Sequence, residues 1–173
     1  IVKRKRINLI ISAFAKLLEN KKNLILVIAG SGPKSDELEI KQLVRELRIE
    51  ENVKFVGLVV GNEKLELLES AKVFIHAAYA DTHPVAVEEA LAMGIPVVMT
   101  DCDMPEVAEY NAGIIVEPDI HSIHQTLAKI LEDENKLSIF SKNAKKLVNE
   151  KFLVKDQVKK YERMYLDAIK NGK

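Results

Sequence analysis

The chain predicts an α/β domain, a doubly wound parallel sheet followed by C-terminal helices, and three observations carry that prediction. Short apolar runs alternate with stretches of helical period along almost the whole of the 173 residues. One of those runs, residues 24 to 29 (Leu-Ile-Leu-Val-Ile-Ala), is unbroken, as in a strand buried on both faces of a parallel sheet. No internal repeat, low-complexity tract or linker interrupts the alternation, so one domain is predicted over residues 1–173.

Taken in order, the strands are predicted at 24–29, Val53–Val56, Val73–His76, Pro96–Met99 and Gly113–Val116. Between them lie amphipathic stretches at Ile7–Leu18, Ser35–Leu47, Glu63–Glu69, Pro84–Met93 and Pro105–Tyr110. Strand and helix in alternation imply right-handed crossovers. Several boundaries have a physical cause. Pro84 suits a first helical position, where a missing N–H costs nothing. Gly94 stands where a helix C′ glycine belongs, with Ile95-Pro96 starting the next strand. Asp119 precedes the helical run Ile120–Leu131 as a cap. Asp133–Lys136 is a polar break before two last helices, about Leu137–Glu150 and Val154–Lys170. The first helix has no strand before it, and Ile1-Val2 resemble the tail of one. We therefore expect a fragment that lacks most of its first strand.

Composition narrows the class. Lys and Arg number 26 and so do Asp and Glu, for a formal charge of zero. The charges are nevertheless segregated: residues 3–6 are Lys-Arg-Lys-Arg, whereas Val73 to Ala128 contains nine acids and no Lys or Arg. All four histidines fall in that acidic stretch. A single cysteine, Cys102, excludes a disulfide scaffold and a thiolate-rich zinc site, and reads as a small buried residue. No run approaches the roughly 20 apolar residues of a membrane span, so a soluble cytoplasmic domain is expected. Lys3–Arg6 is short and free of aromatics, which argues against a nucleic-acid partner. Cations at a helix N-terminus oppose the helix dipole, and an anionic ligand such as a diphosphate would relieve that conflict.

Other constellations are weaker. Gly30-Ser31-Gly32-Pro33 after a strand invites a dinucleotide reading, but the third glycine of that fingerprint is Ser35, and a tight turn explains the other two. His121 and His124 share a helix face without a third ligand nearby in sequence, so no metal site is predicted. The segment 77–90 carries more. Asp81 lies in the loop after a strand, and Glu89 lies in the helix that follows. The amides of Val85 and Ala86 fall in its first turn, where helices bind anions. Two acids flanking free amides suit a ligand whose hydroxyls flank phosphates. A cap at Asp81 and a solvated Glu89 would give the same spacing.

At these residues the chain resembles the C-terminal domain of retaining glycosyltransferases of the GT-B fold, family 4 or "group 1". The signature is an acid, seven residues and a Glu, then Ala-(Met/Leu)-Ala-x-Gly-x-Pro-Val. Asp81 and Glu89 fill the acid positions, with Ala90-Leu91-Ala92-Met93-Gly94-Ile95-Pro96-Val97 behind them. Ala29 to Pro33, Asn52 to Gly57, Pro105-Glu106-Val107 and Gly113 to Pro118 match in order. The resemblance implies a Rossmann-like half of a GT-B fold that binds a nucleotide-diphosphate sugar (UDP-, GDP- or ADP-linked) for polysaccharide biosynthesis. It implies that Asp81 contacts the transferred sugar, that Val85 and Ala86 offer amides to the diphosphate, and that Glu89 holds the ribose hydroxyls. Lys5 would neutralise the leaving diphosphate, and Gly57 and Leu58, with Val59, would lie against the base. No cofactor or metal is required on this view.

The chain departs from the pattern in places. The first acid is usually Glu, and Asp81 is one methylene shorter. The usual Gly-Phe-Gly or Gly-Phe-Pro is Thr82-His83-Pro84, which puts His83 beside donor or acceptor. An arginine that usually precedes the Lys5 region would lie ahead of Ile1. The acceptor, a sugar or a lipid-linked one, would be held by an N-terminal domain missing here, and peripheral membrane association of the full protein stays open. The alternative reading is a non-catalytic interaction or scaffold module of the same fold.

Overall fold

The computed structural model describes the backbone of residues 1–79, 81–100 and 104–171, and their side chains except at 154–157, 159, 160 and 171. Cys102, with Asp101 and Asp103, lies outside the described residues. The chain opens with a 3-10 turn at Lys3–Lys5 and helix α1 (Ile7–Leu18). There follow β1 (Leu26–Ala29), α2 (Lys34–Glu46), β2 (Val53–Gly57), α3 (Gly61–Glu69), β3 (Phe74–His76) and α4 (Val85–Ala92). The second half holds β4 (Val97–Met99), α5 (Glu106–Glu109), β5 (Gly113–Ile115), α6 (Ile120–Ile130) and α7 (Glu134–Leu147). A π-helical turn (Val148–Phe152) then leads into α8 (Val154–Asn171). Every predicted element is present, in the predicted order.

All strand pairings are parallel. β1 pairs with β2, and β4 lies between β3 and β5, so the described strands form one sheet of two and one of three. Residues 1–5 run between the carboxyl ends of the two sheets. The Ile1 amino group donates to the Ser31 carbonyl just past β1, and the Tyr79 amide just past β3 donates to the Arg4 carbonyl at 2.7 Å.

β4 is the strand that is buried on both faces. Val97, Val98 and Met99 are inaccessible to solvent. Val98 joins a core with Ile10, Ile11, Phe14 and Leu17 of α1 and Ile123 and Leu127 of α6. Val97 and Met99 join the opposite core, with Val87, Ala90 and Leu91 of α4, Val107 of α5, and Ala144 and Leu147 of α7. Helices on both faces are what make the sheet doubly wound. The expectation that 24–29 is buried on both faces is corrected. Ile28 packs against α1 and α2, whereas Ile25 and Val27 on the other side of the pleat are exposed. A strand can read as uniformly apolar while only its even residues meet a helix.

Boundaries shift for local reasons. Pro84 is the N-cap of α4 rather than its first helical residue. Its ψ of 109° is extended, and its carbonyl accepts from the Val87 amide at 2.8 Å. Asp133 is a cap and not a break: its side chain accepts from the Lys136 amide, so α7 starts three residues before the predicted Leu137. Asp119 caps α6 as predicted, accepting from the amides of His121 and Ser122 at 2.8 and 2.9 Å. Lys3–Lys5 form a turn of their own ahead of α1, and Arg6, at φ 46°, is the N-cap of that helix, so the basic run stands at a helix N-terminus as expected.

Gly94 ends α4 with φ +77°, and a Cβ there would lie 2.5 Å from Cε of Lys145 on α7. Gly94→Ala is therefore expected to destabilise the domain by about 1–2 kcal/mol, from the left-handed backbone and the displaced lysine. Urea unfolding midpoints with an unchanged slope would check this.

Candidate functional site

The site forms where the carboxyl ends of the strands meet the N-terminal turn. That turn is fixed by its own backbone: the Lys5 amide bonds the Val2 carbonyl at 2.9 Å, and Arg4 bonds Tyr79 across the gap. The Arg6 guanidinium stacks on the Tyr79 ring, 4.8 Å from its centroid. These contacts place Lys5 over the loop after β3. Its ammonium pairs with Oδ2 of Asp81. Arg4 stands 3.9 Å from the other carboxylate oxygen.

Asp81 has a third partner that sequence reasoning did not single out. His76, the last residue of β3, puts Nε2 3.1 Å from Asp81 Oδ2. The His76 side chain is only 8% exposed and that of Asp81 14%, against 33% for Lys5. The hydrogen bond from Lys5 holds the Asp81 carboxyl below the usual carboxylate range, against the opposing pull of burial. Burial pushes the His76 imidazole below its ordinary value. The Lys5 charge adds to that, and Asp81 counters in part. At neutral pH the pair is thus a neutral imidazole and an ionised carboxylate. A carboxylate only accepts, so Nε2–H is the donor.

Asp81 leads into α4. Among the described residues no side chain caps that helix, and the amides of Val85 and Ala86 precede its first intrahelical bond. Both residues are exposed, so the helix start is open to an anion. One turn on, Glu89 is ion-paired with Lys64 of α3, Nζ to Oε1 2.5 Å, with both side chains about one-third exposed. The exit of β2, ahead of α3, carries Gly57 at φ +71° and an exposed Leu58. Val59 is buried, so of the two residues expected against a base only Leu58 presents an open side chain. His83 is engaged elsewhere: Nδ1 lies 3.2 Å from Glu88, and the ring meets Phe152 edge-on at 6.1 Å.

The structure thus brings Lys5 and Asp81 together directly, and sets Glu89, one turn into α4, in a second ion pair. It adds two residues to those the sequence singled out. His76 carried a signal, since it is a polar residue ending an otherwise apolar strand. Lys64 carried none, being one lysine on an exposed helix. Among the described residues no group of three or more His, Cys, Asp and Glu is placed to hold a metal ion. Nor is any described helix long and apolar enough to cross a membrane.

Fold and site define the class first: a Rossmann-like α/β domain with an open helix start, a cation and two carboxylates at the carboxyl ends of its strands. The family model "Glycosyl transferases group 1" matches residues 1–147, and the chain belongs to that family. It is 29% identical over 99% of its length to the N-acetyl-alpha-D-glucosaminyl L-malate synthase of Bacillus anthracis, of which it covers 45%. Its structure superposes on the C-terminal domain of a group 1 glycosyl transferase (LpcC) of Francisella tularensis with a TM-score of 0.80. The two are 20% identical, and the match covers 89% of this chain and 83% of that one. It superposes on Anabaena Alr3699/HepE, solved in complex with UDP, with a TM-score of 0.87 at 18% identity. That match covers 96% of this chain and 46% of that one. The expected fold, the C-terminal half of a GT-B glycosyltransferase, is therefore borne out. The chain spans less than half the length of the curated relatives it matches.

Linkage gives the two titrating groups separate windows. The folded state favours neutral His76. Its contribution is complete above the ordinary imidazole value of about 6.5 and is lost as pH falls from there through the lowered folded value. The folded state favours ionised Asp81. That contribution survives to the usual carboxylate range near pH 4 and is lost as pH falls through the depressed value. Between pH 7.5 and 5.5 the urea midpoint of the parent is expected to fall more steeply than that of His76→Gln. Parallel slopes would contradict the assignment.

Proposed function

We propose that this chain is the donor-binding half of a retaining glycosyltransferase that uses a nucleotide-diphosphate sugar. The observation that carries the reading is Lys5 paired with Asp81 beside the uncapped start of α4. Lys5 and the amides of Val85 and Ala86 take the diphosphate, and Asp81 takes hydroxyls of the transferred sugar. Glu89 holds the ribose hydroxyls, while Gly57 and the exposed Leu58 flank the base. His83, held by Glu88, borders the same loop. UDP is the first nucleotide to try, because one structural neighbour was solved with it.

In this mechanism the bond between the anomeric carbon and the diphosphate oxygen breaks, and negative charge gathers on the departing phosphate. Lys5 and the α4 amides are fixed donors for that charge, which is where electrostatic preorganisation acts. The acceptor hydroxyl attacks from the face the phosphate leaves and passes its proton to a phosphate oxygen, so the anomeric configuration is retained. A cation supplied by the chain takes the place a metal would fill. The acceptor belongs to a domain outside this chain, in a cytoplasmic protein. The separation of β1 from β3, with residues 1–5 lying between their carboxyl ends, suits a central strand contributed by the segment before Ile1.

Calorimetric titration of UDP, GDP and ADP into the full-length protein tests the binding, and silence from all three would sink it. Glu89→Ala is expected to weaken the preferred nucleotide roughly 10- to 100-fold, the range for losing hydrogen bonds to a charged group. An unchanged affinity would remove Glu89 from the ribose. Lys5→Ala is expected to lower kcat on the order of 100-fold, as loss of one preorganised charge-stabilising donor does.

A further inference from the structure

We propose that His76 is a positioning residue that keeps the Asp81 carboxylate in place when Lys5 turns from it to an anionic ligand. The inference rests on the reading above and adds a residue to it. Asp81 has two kinds of partner. Lys5 and Arg4 lie on the N-terminal turn with side chains 33% and 64% exposed, on long flexible stems. His76 lies on a strand, is almost wholly buried, and its carbonyl accepts from the Thr100 amide just past β4 at 3.0 Å. Thr100 is itself buried, its hydroxyl directed to the Ala78 carbonyl. The imidazole is therefore held at its base by the sheet, while the ammonium is free to swing.

Lys5 cannot serve Asp81 and a diphosphate equally. Phosphate oxygens carry more charge than a carboxylate and draw the ammonium toward them. An aspartate held by lysine alone would then lose its orientation at the moment it must meet the sugar. A buried neutral donor avoids this. Nε2–H keeps one oxygen of Asp81 fixed without adding a positive charge that would compete with Lys5 for the ligand. The other oxygen remains for a sugar hydroxyl. His76 touches neither sugar nor phosphate on this account, and acts through Asp81.

Two arms test it in the full-length protein. In the first, His76→Gln preserves an N–H near the Nε2 position, and His76→Leu removes it. With the donor sugar of the nucleotide that binds, His76→Leu is expected to lose on the order of 10- to 100-fold in kcat, the cost of a misplaced reacting group, with KM nearly unchanged. His76→Gln is expected to recover most of that loss. Equal activity of all three proteins, or equal loss in both variants, would overturn the proposal. In the second arm, nitrogen NMR of the imidazole should show a neutral Nε2–H form at pH 7 whose Nε2 signal moves in Asp81→Asn. A cationic ring, an Nδ1–H form, or a signal indifferent to Asp81→Asn would also overturn it. If no nucleoside diphosphate binds the parent, the glycosyltransferase reading fails, and the imidazole spectrum still decides whether His76 tethers Asp81.

Discussion

The contact on which the site depends is the carboxylate of Asp81 between Lys5 and His76. It joins the N-terminal turn to the end of β3 and the loop that opens α4, about 70 residues further along the chain. Without a negative charge at that point, Lys5 would have no reason to turn inward, and the buried His76 would lack an acceptor for its Nε2–H. Two cations, Lys5 and Arg4, already face the one carboxylate, and the least exposed member of the group is neutral. A protonated His76 would add a third cation, this one buried, at a desolvation cost that its hydrogen bond could not offset. A neutral imidazole satisfies the second lone pair without that cost.

Positioning of this contact depends in turn on β4. Because Val97, Val98 and Met99 are buried on alternate faces, β4 locks the α1 and α6 layer to the α4, α5 and α7 layer. β3 hydrogen-bonds to β4 through the register Phe74–Val97, Ile75–Val98 and His76–Met99, so His76 stands at a level set by the core. The same core fixes α4, through Val87, Ala90 and Leu91, and with it the direction of its open N-terminus. Strand and helix thus deliver the histidine, the aspartate and the amides to one edge of the sheet from two elements packed on one core. Packing rigidity is what allows an exposed lysine to move without the remaining groups moving with it.

The sequence made the architecture legible almost completely, because apolar runs and helical periods are local signals. Asp119 and Gly94 marked their helix ends through chemistry that needs no tertiary context. What it misjudged were matters of partnership. Residues 24–29 are apolar throughout, yet only one side of that strand meets helices, and composition cannot show which neighbours a strand has. Lys3–Arg6 read as the start of α1, but Lys3–Lys5 form a 3-10 turn of their own and the left-handed Arg6 is the N-cap. Within the site, Asp81, Glu89, Val85, Ala86 and Lys5 were named from a motif. His76 and Lys64 were not, since their roles come from contacts 5 and 25 residues apart that no periodicity predicts.

The charge segregation noticed in the sequence acquires a physical meaning in three dimensions. The stretch from Val73 to Ala128 holds no Lys or Arg, so every cation its acids meet must come from elsewhere in the chain or from a histidine within it. Asp81 takes Lys5 and Arg4 from the N-terminal turn and Glu89 takes Lys64 from α3, while Glu88 meets the His83 ring at 3.2 Å. Asp119 is occupied with the start of α6. The Lys and Arg partners come from outside α4, two from the N-terminal turn and one from α3, and each is about one-third exposed or more, so each can leave its acid without unfolding its element. Had the lysines been interleaved with the acids on α4 itself, the pairs would have closed within one helix, and the open helix start would face a neutralised surface. Keeping the cations on neighbouring elements leaves ion pairs that an anionic, hydroxyl-bearing ligand can reorganise one at a time. The buried histidine holds the one acid that must not move.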